Sequence, residues 1–361
     1  MISALRGFCL CILLTLGLGA AEPAAPFCKG GDISMITAFE KAGLVLKENG
    51  KPVELIPVMR RHGCNTFRVR LFVNPNGVTE TIQDLDYVIA LGKRIKAAGG
   101  LFMLDFHYSD TWADPGHQAV PAVWKNLPFE ELEKKVETYT LEAMTKCKEA
   151  GCPPDLVQIG NEIQNGIMKP LGGWQENGGG WKPYGRLLNA GARGVRRSGV
   201  PARIIIHGEN GGQAKSIENF CRRLQECQVD YDILGLSFYC EWQGKPANLK
   251  TALAAAATFG KPIIVVETAY DWKGGKAWYK EKAENFPYPL TPAGQRDFLA
   301  EILQIVRNTP NGLGQGVIWW HPESVKFGKP RVWKNGACAL FDDQGEVLPA
   351  LSAFKENAKE F

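Results

Sequence analysis

Eight short apolar runs recur along this chain, and each is separated from the next by enough residues for a helix. They fall at 32–35, 66–72, 101–106, 156–159, 203–206, 233–238, 263–266 and 316–320. The third, fourth, fifth, seventh and eighth are almost continuous in apolar residues, which is the pattern of strands covered on both faces. The segments between them carry helical spacing. From 82 to 97, Leu85, Val88, Ile89 and Ile95 share one side, and Gly99-Gly100 ends the run. Residues 129–149 are rich in Glu, Lys and Leu, and Thr291-Pro292 opens 291–306 with a capping residue followed by proline. Strand and helix alternating eight times predict an α/β protein, a single closed (β/α)8 TIM barrel rather than an open doubly wound sheet.

Residues 1–21 stand apart from this pattern. Arg6 supplies a positive start, Cys9 to Leu18 is uncharged and apolar, and Gly19-Ala20-Ala21 is a small-residue exit. That order predicts a cleaved signal peptide, a barrel domain over 22–361, and a secreted or periplasmic protein. The apolar stretch is shorter than the roughly 20 residues that span a bilayer, so no membrane association is expected after cleavage. Eight cysteines remain beyond it, and in an exported protein Cys147/Cys152 and Cys221/Cys227 are candidate loop staples, with buried free thiols as the alternative. A net charge of +4, scattered along the chain, argues against nucleic acid as a partner.

Two of the apolar runs stop at a glutamate: 156–159 leads through Gly160-Asn161 to Glu162, and 263–266 ends directly on Glu267. In a parallel barrel both would stand at the carboxyl-end rim, where such folds carry their chemistry. Two carboxylates facing across a barrel mouth suit glycoside hydrolysis, one protonating the leaving oxygen and the other attacking or assisting at the anomeric carbon. Glu162, beside the amide of Asn161, suits the acid, and Glu267 suits the nucleophile. Arg68 and Arg70 are two apart on the second run and so point to one face, where a guanidinium would keep Glu267 ionised. A single glutamate at a strand end is more often a structural ion pair; two on separate strands with these neighbours reverse that judgement. Trp112, Trp174, Trp181, Tyr239, Trp242, Trp319 and Trp320 fall at or beyond run ends, a supply of rings that suits a polymeric sugar. His107 ends the third run and is placed to orient a sugar hydroxyl or tune a carboxylate. On these residues alone, a β-mannanase, a β-glucanase or a glycan-binding barrel without turnover remains open.

The motifs themselves are more specific. The stretch 105–116 (DFHYSDTWADPG) closely resembles a signature of the endo-β-1,4-galactanases of glycoside hydrolase family 53. So do 63–75 (GCNTFRVRLFVNP), 158–163 (QIGNEI) and 265–270 (VVETAY), and the resemblance runs from about Gly31 to Trp320. It implies Glu162 as acid/base and Glu267 as nucleophile. It also implies Arg70, His107, Asn161 and Tyr239 around the attacked sugar, with Trp112 and Trp320 as stacking platforms. The implied substrate is the β-1,4-galactan of pectic arabinogalactan type I, cleaved with retention and without an organic cofactor by what is expected to be a monomer. Some family members hold calcium after strand seven or eight, but no oxygen-ligand cluster is legible here, so no metal is assigned. The chain departs from the family pattern at Glu209, where an aspartate is expected, and at Gly212, where an aromatic is expected. It departs again at Cys240-Glu241-Trp242 and at 319–323. These differences bear on chain-length preference and sugar specificity more than on reaction type.

Overall fold

The computed structural model describes residues 26–176, 178–274, 283–328 and 330–356, so the signal-peptide segment 1–21 lies outside the described residues. Eight parallel strands close into a barrel: β1 (Cys28–Asp32), β2 (Thr66–Leu71), β3 (Leu101–Phe106), β4 (Leu156–Ile159), β5 (Arg203–Gly208), β6 (Ile233–Phe238), β7 (Ile263–Thr268) and β8 (Gly314–Trp320). β1 pairs with both β2 and β8, so the closed sheet has no unpaired edge. The helices α1 (Leu55–Arg61), α2 (Leu85–Ala97), α3 (Phe129–Glu149), α4 (Lys182–Arg197), α5 (Ala214–Glu226), α6 (Pro246–Ala257), α7 (Pro292–Arg307) and α8 (Ala353–Glu356) follow the strands in turn. Alternation read from the sequence is therefore the architecture of the molecule.

Local punctuation sets the helix starts. α7 begins where Thr291 Oγ1 accepts from the Gly294 amide at 3.1 Å, the cap expected from Thr-Pro. α2 starts at Leu85 rather than at 82, because Asp84 accepts from the Tyr87 amide at 2.9 Å and fixes the first turn there.

The first strand lies four residues earlier than the apolar run suggests, over Cys-Lys-Gly-Gly-Asp instead of 32–35. A methyl group on Gly30 would sit 1.7 Å from the Thr66 carbonyl oxygen, and one on Gly31 would sit 2.6 Å from Pro322. Glycine here is what lets β1 wedge between its neighbours, and it also removes the hydrophobic signal. Lys29, inside the same strand, is buried with Nζ donating to the Phe354 carbonyl at 2.8 Å. The candidate cysteine staples are corrected too: all eight described cysteines are free, seven of them buried. Cys152 closes the end of α3 by donating its amide to the Cys147 carbonyl at 2.9 Å, and the two free thiols also lie within hydrogen-bonding reach of each other.

Inside the barrel, side chains separate by height. Met103, Leu156, Ile205, Ile233, Ile264 and Ile318 form an apolar plug, while the other face of the sheet packs on the helices in the main core. Toward the carboxyl ends the interior becomes polar: Asp32, Arg68, Arg70, Asp105, Gln158, His207 and Ser237 are each fully buried. Buried polar groups at this density must satisfy one another, and the way they do so builds the site.

Candidate active site

Arg68 on β2 organises the floor. Its NH1 lies 3.0 Å from Asp32 and 2.9 Å from Glu267, and its NH2 lies 2.8 Å from Asp105. NH2 also donates to Asn161 Oδ1 at 2.8 Å, and Nε donates to Gln158 at 3.2 Å. The guanidinium thus ties β1, β2, β3, β4 and β7 together. Both arginines point inward, as two-residue spacing requires, and the guanidinium that holds Glu267 is that of Arg68. Arg70 pairs instead with Asp32 at 2.9 Å, contacts His321 Nε2 at 2.8 Å, and lies 4.5 Å from the Trp112 ring centre and 4.9 Å from that of Trp320.

Glu162 leaves β4 through two unusual backbone conformations, Gly160 at φ 77° and Glu162 itself at φ 50°. Left-handed backbone in a glutamate is costly and persists where surrounding contacts hold it, a situation concentrated at functional sites. Here its amide donates to His207 Nδ1 at 3.3 Å, and its carboxyl accepts from Ser237 Oγ at 2.7 Å. Burial and the neighbouring Arg68 keep His207 neutral, its pKa well below the usual imidazole value. Its Nδ1 also lies 3.0 Å from Asn161 Oδ1 and its Nε2 lies 2.8 Å from Ser237 Oγ, whose own hydrogen goes to Glu162.

Glu267 sits opposite Ser237 in the β6–β7 ladder, so the serine and its two glutamates form one side of the rim. It is 4 % exposed and accepts from the Tyr239 hydroxyl at 3.0 Å. Burial raises its pKa to about 7, against the pull of Arg68 and the Tyr239 hydrogen bond. Glu162 is raised further, by burial and then by the charge of Glu267, with only the serine hydroxyl opposing. The two environments push the carboxyls apart, with Glu162 the more strongly raised of the two.

The other expected residues are distributed as follows. Asn161 is buried, with its amide committed to Arg68 and, through Nδ2, to the Ala113 carbonyl at 2.8 Å. His107 accepts the Ala113 amide on Nδ1 at 3.0 Å and faces Asp105 through Nε2 at 3.1 Å, so both ring nitrogens meet protein groups. Trp112, Glu162, Tyr239, Trp242 and Trp320 line a cavity of about 1020 Å³ at this end of the barrel. Trp174 and Trp181 do not line it; they pack on each other, and Trp181 also on Tyr184 and Arg223. Trp319 is fully buried, its indole donating to the Cys338 carbonyl at 2.8 Å, the packing role that tryptophan commonly takes. Glu209 also lines the cavity, accepting from the Gln164 amide at 3.1 Å and Asn165 Nδ2 at 2.8 Å, with burial lifting its pKa to about 7.

Sequence reasoning missed Asp32, Asp105, Gln158, His207, Ser237 and Trp333. Asp32 ends the glycine-rich β1, which has no apolar run to interrupt; the next four each interrupt or close an otherwise apolar strand, and a polar residue inside a two-sided buried strand needs a partner. That signal was present. Trp333 carried none, because it reaches the cavity from a loop far along the chain. Among the described residues no cluster of three or more His, Cys, Asp or Glu side chains is disposed to hold a metal ion.

With this geometry in view, the relatives are informative. The model of glycosyl hydrolase family 53 matches residues 28–354. An endo-β-1,4-galactanase of Bacillus subtilis is 33 % identical over 91 % of this chain and 85 % of its own. An arabinogalactan endo-β-1,4-galactanase of Thermothelomyces thermophilus is 34 % identical over 91 % of this chain and 98 % of its own. The solved family 53 catalytic domain of Ignisphaera aggregans superposes with a TM-score of 0.84 at 29 % identity, covering 92 % of this chain and 97 % of that one. A closed eight-stranded barrel, a carboxyl pair at its carboxyl-end rim and a family match over nearly the whole described chain lead to one assignment: the protein is a glycoside hydrolase belonging to glycosyl hydrolase family 53.

Proposed function

We propose that this hydrolase is an exported endo-β-1,4-galactanase that cleaves the β-1,4-galactan of pectic arabinogalactan type I with retention of configuration. The observation that carries the mechanism is the unequal setting of the two glutamates. Glu267 is held by Arg68 at 2.9 Å and Tyr239 at 3.0 Å, whereas Glu162 has a single serine donor. In the first step a Glu267 oxygen bonds to the anomeric carbon as the glycosidic C–O bond breaks, and the Glu162 proton passes to the departing oxygen. In the second, water attacks the same carbon, gives its proton to Glu162, and releases Glu267. Trp112 and Trp320 would carry sugar faces, with Arg70 held between them and Asp32; His107 and Asn161 would act by fixing the wall around the attacked sugar. The galactanase relatives support the substrate, and the Gly19-Ala20-Ala21 exit supports export. No organic cofactor enters this scheme.

The test is product analysis on linear β-1,4-galactan beside mannan and β-glucan, with the anomer of the first product followed by NMR. Short galacto-oligosaccharides of β configuration from galactan alone are expected. Glu267→Gln should abolish turnover, and Glu162→Ala should slow it least for aryl glycosides whose leaving group needs little protonation. Near-normal turnover by Glu267→Gln, or an initial α product, would overturn the assignment.

A further inference from the structure

The loops after β6, β7 and β8 meet at a charged cluster that the catalytic scheme does not use. Lys334 lies in the segment following β8, yet its side chain is only 8 % exposed. Its Nζ is 2.5 Å from Glu241, in the short helix Cys240–Gln243 after β6, and 3.2 Å from Asp271, just beyond β7. Both carboxylates are buried. Lysine is almost never this buried unless paired, and here one ammonium faces two carboxylates from two other loops.

The backbone around it is strained in the same place. Lys334 and Asn335 have φ of 48° and 52°, followed by Gly336 at 78°. Two successive non-glycine residues in the left-handed region persist only when surrounding contacts impose that conformation. Those contacts are visible: Trp272 donates its amide to the Ala337 carbonyl at 2.8 Å and its indole to the Gly336 carbonyl at 3.0 Å. Cys338 donates to the same Asp271 oxygen at 2.9 Å. Burial opposes the charge on Lys334, but its acidic neighbours hold its pKa above the ordinary lysine value; Cys338, itself pushed well up by burial, stays a neutral thiol.

What the cluster holds is aromatic. Nζ lies 4.7 Å from the Trp333 ring centre and 5.9 Å from that of Trp242. Both rings pack edge-on against Tyr239, at 5.9 Å and 5.2 Å, and both line the cavity. Trp242 is 55 % exposed, so less than half of its surface is held by packing.

The geometry points to Lys334 as a positioning residue, an internal cation that locks the loops after β6, β7 and β8 together and so fixes Trp242 and Trp333 as a sugar-binding wall beside Tyr239. The ligand's identity rests on the galactanase reading; the clamp itself does not.

Hydrogen exchange and steady-state kinetics on full-length mature protein test this. In Lys334→Met, exchange should rise over 239–244 and 333–338 while β1 to β8 stay protected. KM for galactan should rise by about tenfold or more, with kcat changed by less than about threefold, and Lys334→Arg should recover most of the loss. If Lys334→Met does not fold, Glu241→Gln removes one half of the clamp and is read in the same way. Unchanged loop exchange in a folded variant, or a loss confined to kcat, would overturn the proposal. A wild-type protein that cleaves no galactan would sink the substrate reading alone, leaving the clamp to be judged by exchange.

Discussion

At the scale of single residues, the molecule does its work by giving chemically identical side chains different surroundings. Glu267 receives a guanidinium and a phenol; Glu162 receives a serine. Because the Tyr239 hydroxyl favours the ionised form of Glu267, Tyr239→Phe should raise that pKa from about 7. The acid limb of the kcat/KM profile then moves to higher pH by about one unit, and the maximal rate falls roughly 10- to 100-fold. An acid limb that stays where it was would separate it from Glu267. Glu323 gives a second titration, this time in stability. It is buried next to Asp32 and accepts from the Met35 amide at 3.1 Å, and burial followed by the charge of Asp32 lifts its pKa to about 8. A carboxyl raised above its unfolded value of about 4.3 stabilises the fold fully below that pH and loses the contribution as pH rises through the folded value. Glu323→Gln cannot ionise, so relative to wild type its stability should improve by at least ~1 kcal/mol between pH 4 and pH 8, measured by urea unfolding at each pH. A constant difference across that window would mean that Glu323 titrates normally. The guanidinium beside Glu267 was legible in the sequence, from the two arginines spaced two apart on the second run; the Tyr239 and Ser237 hydrogen bonds and the setting of Glu323 were not, because each joins residues from separate strands or loops.

At the scale of elements, the strands that were easiest to read are those whose side chains do the packing. The spans of β3, β4 and β6 are as the apolar pattern predicts, because their residues meet the plug inside or the helices outside. β1 was displaced because close approach, not apolar contact, defines it. Gly30→Ala would place a methyl 1.7 Å from the Thr66 carbonyl oxygen, a backbone atom that cannot swing aside. Its expected cost is at least ~3 kcal/mol in denaturant unfolding or outright failure to accumulate. Gly116→Ala, whose added carbon would meet nothing nearer than 3.4 Å, should change stability by less than ~0.5 kcal/mol. If the two behave alike, the wedge between β2 and β8 is not what glycine is there for. The same logic explains the helix starts: Thr291 was readable as a cap because Thr-Pro is a local signal, and Asp84 moved the start of α2 because one carboxylate outweighed an apolar periodicity that extended further back.

At the scale of the whole molecule, stability comes from closure and burial rather than covalent cross-links. The barrel leaves no sheet edge, and the eight described cysteines are unbridged. Reductant should therefore leave the melting temperature unchanged within about 2 °C, where loss of a native disulfide typically costs about 2–5 kcal/mol. Denatured mature protein should titrate eight thiols; a fall in Tm with reductant, or fewer thiols, would reinstate a bridge. The sequence by itself determined the barrel, since periodicity and caps are local and repeat eight times, and it placed Glu162 and Glu267 at strand ends, because a strand's end is a local property too. It also marked the family, through runs of residues read directly. Only the tertiary structure decided which arginine holds Glu267, and that Trp333 and Lys334 reach the cavity at all. Those outcomes depend on distances between residues tens or hundreds of positions apart, and on the water their approach removes, and neither is written in any one stretch of chain.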